Sequence, residues 1–144
     1  IEVYAESSYL AQKEAIKIIH SLNSDIWVAS PRREYLPDEF IYEKQVDWET
    51  KYLRLAAKHG VVLFWLAKEK EHDSKRAYAQ TSRFELAEWK VRHERDGVKL
   101  AIGIEDGFSG ARYIRYRFSQ DCPEIKIFED LQDVCKEAAG LALK

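Results

Sequence analysis

Six consecutive apolar residues, Val61–Leu66 (VVLFWL), leave this chain few folds to choose from. A strand with one solvated face alternates apolar and polar side chains, and this run does not alternate. An unbroken apolar run of strand length suits a strand covered on both faces of a parallel sheet. Such a strand needs neighbours on both edges and helices above and below.

The rest of the chain supplies them. Ile1–Ala5 (IEVYA) and Ile26–Ala29 (IWVA) read as strands before it, Val98–Ile104 (VKLAIGI) and Ile125–Phe128 (IKIF) as strands after it. Ser7 and Ser8 offer a cap to a helix in which Leu10, Ala11, Ala15, Ile18, Ile19 and Leu22 recur at helical spacing. Phe40–Lys58 is a second helix, with Gly60 as its expected C′ residue. A third opens at Ser82 and stops at Asp96-Gly97, and Glu129–Leu143 closes the chain. Alternation of this kind, joined by right-handed crossovers, predicts an α/β fold with helices on both faces of a parallel sheet. The expected form is a flavodoxin-like three-layer sandwich, a five-stranded parallel sheet of order 2-1-3-4-5, as one domain over residues 1–144. In that order the switch point lies between the first and third strands, and a ligand binds above their C-terminal ends. Its expected lining is Glu6, Ser7 and Ser8, the loop after the third strand, and the start of the Ser82 helix.

Charge and cysteine content remove several classes of function. A net charge of −2 gives no bulk electrostatic attraction to nucleic acid or to an anionic membrane. The apolar runs are too short to span a bilayer. Cys122 and Cys135 have neither CxxC nor zinc spacing, which fits a reducing, cytoplasmic setting. His20, His59, His72 and His93 show no ligand spacing either, so neither a metal nor a cofactor is expected. There is no signal peptide, and the absence of an initial Met suggests a start inside a longer protein.

The stretch with most chemistry is Thr81–Trp89 (TSRFELAEW), which follows the apolar strand after a charged loop. Ser82 and Glu85 have the spacing of a capping box, in which the glutamate reaches back to the backbone of the cap. That is the more ordinary use of such a pair. The same position, at the positive end of a helix, also keeps a carboxylate ionised for nucleophilic work. Arg32 and Arg33 stand at the end of the second strand, where they either bind a phosphate or pair with Glu34, Asp38 or Glu39. Trp65, near the end of the apolar strand, either stacks on a base or belongs to the core. Arg112, Arg115 and Arg117 form either an anion site or ordinary surface pairs.

Taken in order, SPRRE (Ser30–Glu34), EKQVDWE (Glu43–Glu49), VVLFWL (Val61–Leu66) and FELAEW (Phe84–Trp89) resemble the nucleoside 2-deoxyribosyltransferase-like family, over roughly residues 1 to 135. The resemblance implies cleavage or exchange of the N-glycosidic bond of a small-molecule nucleoside or nucleotide, without a cofactor, in a homodimer or higher homo-oligomer. It implies that Glu85 attacks the anomeric carbon and that Glu49, with Asp47 nearby, serves the leaving base. Two carboxyls roughly 5 Å apart are what retaining glycosidases use for a comparable transition state. Ala79 and Ala87 stand where the family carries an aspartate and a glycine, and Glu6-Ser7-Ser8 replaces its glycine-rich first loop. Hydrolysis, or another nucleotide substrate, therefore stands beside transfer. The alternative is a catalytically silent nucleotide-binding or sensor module of the same fold.

Other occupants of such a sheet fit less well. A receiver domain needs an aspartate at the end of the third strand, which here reads Leu66-Ala67-Lys68. A flavodoxin needs a richer phosphate loop than Ser7-Ser8. Gly103, Gly107 and Gly110 have the wrong spacing for a dinucleotide fingerprint.

Overall fold

A parallel sheet divides the core in two. The computed structural model describes residues 2–6, 9–31, 40–75 and 77–144, with the side chains among these from residue 11 onward. Strands β1 (Glu2–Glu6), β2 (Trp27–Ala29), β3 (Val61–Leu66), β4 (Leu100–Ile104) and β5 (Ile127–Phe128) alternate with five helices. These are α1 (Tyr9–Leu22), α2 (Tyr42–His59), α3 (Gln80–Asp96), α4 (Ala111–Asp121) and α5 (Leu131–Ala142). The strands hydrogen-bond in the order β2-β1-β3-β4-β5, each pair parallel. Among the described residues no helix is long and apolar enough to cross a membrane.

Parity along β3 assigns the two cores. Val61, Leu63 and Trp65 pack with α1 and α5 through Ala15, Ile19, Val134 and Ala138. Val62, Phe64 and Leu66 pack with α2, α3 and α4 through Leu53, Ala56, Leu86, Trp89 and Phe118. The whole strand is buried, because β1 and β4 cover its edges and a helical layer covers each face. Cys135 sits in the α1/α5 core, and burial pushes its thiol up to about 12. Lys90 is the one buried cation among the described residues. Burial alone would lower its pKa, but hydrogen bonds to Asp121 (2.6 Å) and Glu94 (3.3 Å) offset that and leave it raised.

Of two helix ends expected at a glycine, one differs from that pattern. Gly60 follows α2 with φ −161°, an extended backbone that any residue adopts, so it is not a left-handed C′ glycine. Gly97, after α3, does take that role at φ 71°.

Gly103 on β4 faces Trp65 across the strand pair. A β-carbon there would come within 2.6 Å of Trp65 Cε3 and 3.1 Å of Val134 Cγ1. Gly103→Ala must push the indole or α5 aside, a cost of about 1–3 kcal/mol for overpacking. The expected result is a lower urea midpoint at unchanged slope. An unchanged midpoint would mean that the ring moves freely.

Candidate active site

The start of α3 is fixed by the loop before it. Tyr78 donates its hydroxyl to Ala67 O, just past β3. Arg83 donates through Nε to Tyr78 O (3.2 Å) and through Nη2 to Ser109 O (2.6 Å), and its guanidinium lies 4.3 Å from the Phe108 ring centroid. These ties turn the chain at Ala79, whose φ of 55° is left-handed, and Arg83 N–H closes the first turn on Ala79 O. Ala79, not Ser82, is therefore the N-cap residue. The capping box expected between Ser82 and Glu85 does not form the helix start: Ser82 is inside the first turn and Glu85 in the second. The helix dipole acts mainly on the first turn, so Glu85 is held by packing more than by the helix end.

That packing places it opposite α2. Glu85 and Glu49 line one cavity of about 430 Å³ between α2 and α3, inside the range of small-molecule sites, about 300–1,000 Å³. Tyr42, Phe84 and Trp89 supply aromatic walls, while Thr50, Arg54, Gln80 and Thr81 supply polar ones. Both acids are half-buried. Glu85 Oε2 is shielded from water, and the buried Trp89 indole N–H meets no acceptor among the described residues. Gln45, one turn before Glu49, donates from Nε2 to Glu49 Oε1 (2.7 Å) and lies 2.6 Å from Pro31 O. A single amide thus ties the second acid to the end of the β2 segment. The i, i+4 spacings of Gln45 with Glu49, and of Glu85 with Trp89, are the sequence signals by which these neighbours could have been found.

Other expected site residues are elsewhere. Asp47 is exposed on α2 and is not a wall of this cavity. Ser82 lies one turn before Glu85, half-buried, and is also not among the walls. Trp65 belongs to the α1/α5 core, across the sheet, so it does not meet Glu49 and Glu85. Ser7, Ser8, Arg32 and Arg33 lie outside the described residues, and Glu6 is described only as the last residue of β1. Arg115 and Arg117 make structural contacts, to Ile104 O and Glu129 and to Tyr113 and Asp121 respectively.

The loop after β3 lines a different cleft, of about 690 Å³, with Trp65 and Tyr78. Seven carboxylates face it (Glu14, Glu69, Glu71, Asp73, Glu105, Glu129 and Asp130) against Lys68 and Lys70. Burial first, then Glu69 and Glu105, raise the pKa of Tyr78. Walls of this sign repel a phosphate.

Neither a known protein family nor a curated protein matches the chain in sequence.

Proposed function

We propose that the α2/α3 cavity breaks or exchanges the N-glycosidic bond of a nucleoside or nucleotide. The reading starts from the resemblance to the nucleoside 2-deoxyribosyltransferase-like family. One observation carries it: Glu49 and Glu85, from separate helices, line the same cavity. In this reaction a Glu85 carboxylate oxygen bonds to the anomeric carbon as the bond from that carbon to the base nitrogen breaks. The bonding pair leaves with the base, which takes a proton from Glu49. Water, passing a proton back to Glu49, or a second base then attacks the same carbon as the ester bond breaks and the Glu85 carboxylate is released.

The walls suit such a substrate. Tyr42 and Phe84 offer aromatic faces to a base, and Arg54 offers a cation to a phosphate. Gln45 fixes the orientation of Glu49 by donating to one of its carboxylate oxygens. Tyr42 and Phe84 are 67% and 75% exposed, surface that a second copy of the chain would cover. The proposal therefore includes a homodimer or higher homo-oligomer, as the resemblance implies.

A second reading is favoured by Ala79. It stands where the family's sugar-holding aspartate would be, and a methyl cannot accept a hydrogen bond from a hydroxyl. A silent nucleotide-binding module of the same fold would retain the cavity without the chemistry. Release of free base from a panel of nucleosides and nucleotides, followed by chromatography, separates the two. The enzyme reading expects turnover that Glu85→Gln abolishes. Tight binding with no base released from any member of the panel would assign the silent module instead.

A further inference from the structure

A second cluster of polar side chains lies away from the cavity, where the end of α3 meets the turn between α4 and β5. His93 is in the last turn of α3, Cys122 follows α4 directly, and Glu124 lies two residues further on. His93 Nδ1 is 2.7 Å from Val98 O. A carbonyl oxygen only accepts, so Nδ1 carries a proton, and Nε2 holds either a second proton or a metal ion. That nitrogen faces Glu124 Oε1 at 2.5 Å. Two electron-rich atoms at this separation need a positive charge between them, either a second proton or a metal ion. A third possible ligand is close by: the donor atoms of His93, Cys122 and Glu124 all lie within 4.8 Å of one another.

We propose that His93 Nε2, Cys122 Sγ and a Glu124 carboxylate oxygen bind a divalent transition ion of the zinc class, with a solvent molecule as fourth ligand. Metal–donor bonds of about 2.0–2.3 Å in a tetrahedron place the donors about 3.3–3.7 Å apart. The cluster spans that separation. Glu124 must retreat by about 1 Å, which a side chain that is 60% exposed allows. The Val98 carbonyl acts as the outer partner that fixes the tautomer and orientation of a ligating imidazole. Local charge also favours a cation, since Glu94 and Asp121 flank the site and the nearby Lys90 is already paired to both. The ligands come from two segments 29 positions apart, 93 and 122, so no short sequence motif announces them. Bound there, the ion would clamp the end of α3 to the α4–β5 turn, a structural role.

Chelator-treated protein titrated with Zn²⁺, and separately with Co²⁺, tests this. Expected are one ion bound per chain, a thiolate-to-cobalt charge-transfer band in the near ultraviolet, and a thermal midpoint that rises with Zn²⁺ concentration. Glu124→Gln, on an exposed turn, should keep the fold and weaken binding at least about tenfold. His93→Gln should do the same. Cys122→Ser should abolish the charge-transfer band, with circular dichroism checking that this buried substitution still folds. Wild-type uptake no greater than that of His93→Gln would overturn the proposal, as would a cobalt spectrum without the thiolate band. His93 and Glu124 would then be a proton-bridged pair only.

Discussion

Glu85→Gln is expected to fold like the wild type and to lose base release by three orders of magnitude or more. The amide keeps the shape of the side chain and removes the charge that attacks the anomeric carbon. Each tenfold loss corresponds to about 1.4 kcal/mol of barrier, so the expected deficit is about 4 kcal/mol or larger. No helix cap is lost with it, because Ala79 occupies that position and Glu85 lies a turn further in. The usual cap-removal cost of about 0.5–2 kcal/mol therefore does not apply. Glu49→Gln should behave differently. Loss of a general acid costs about 10²–10⁴ in rate, and the loss should be smallest for bases that leave readily without a proton. Thermal melts beside steady-state rates for several bases check both variants. Equal losses for good and poor leaving groups would remove Glu49 from the acid role.

The largest expected effect on folding is at Phe64. It is fully buried in the core shared with α2, α3 and α4, where Val62, Leu66, Leu86 and Ile102 surround it. Phe64→Ala should cost about 3–5 kcal/mol, against a total stability of about 5–15 kcal/mol for a domain. The variant is expected to be partly unfolded at modest urea concentrations. Trp27→Ala provides the contrast, because Trp27 is 73% exposed on the edge strand β2. A surface change of that kind should stay within about 0.5 kcal/mol. Chemical denaturation of both measures the difference, and similar midpoints would contradict the division of the core described above.

The α/β class and its parallel sheet were legible because VVLFWL admits no solvated face and because the flanking segments alternate in period. Which parity of that run faces which helix layer was not legible, since both parities are apolar. Trp65 was for this reason open to both a stacking and a core role, and the sheet places it in the α1/α5 core. The pairing of Glu49 with Glu85 came from resemblance, and the cavity they share follows from two helices lying on the same face. Ser82 misled because Ser-x-x-Glu looks alike before a helix and inside its first turn. What moved the start to Ala79 was a tertiary tether, Tyr78 to Ala67 and Arg83 to Ser109, that local sequence does not encode. Gln45 was overlooked because an i, i+4 spacing such as that to Glu49 is common on helix surfaces, and it gains weight only when Pro31 O is placed beside the same amide. The acidic walls of the second cleft were not visible in KEKEHDSKR, which has more basic than acidic residues; folding adds Glu14, Glu105, Glu129 and Asp130 to the same surface.

In the proposed reaction Glu85 becomes covalently attached to the sugar. Acid quenching during turnover of the best substrate, followed by intact-mass measurement and peptide mapping, tests it directly. The expected result is a fraction of the protein heavier by one glycosyl group, carried as an ester on the peptide containing Glu85 and absent from Glu85→Gln. Base release at full rate by Glu85→Gln, or an adduct mapped to another residue, would contradict it.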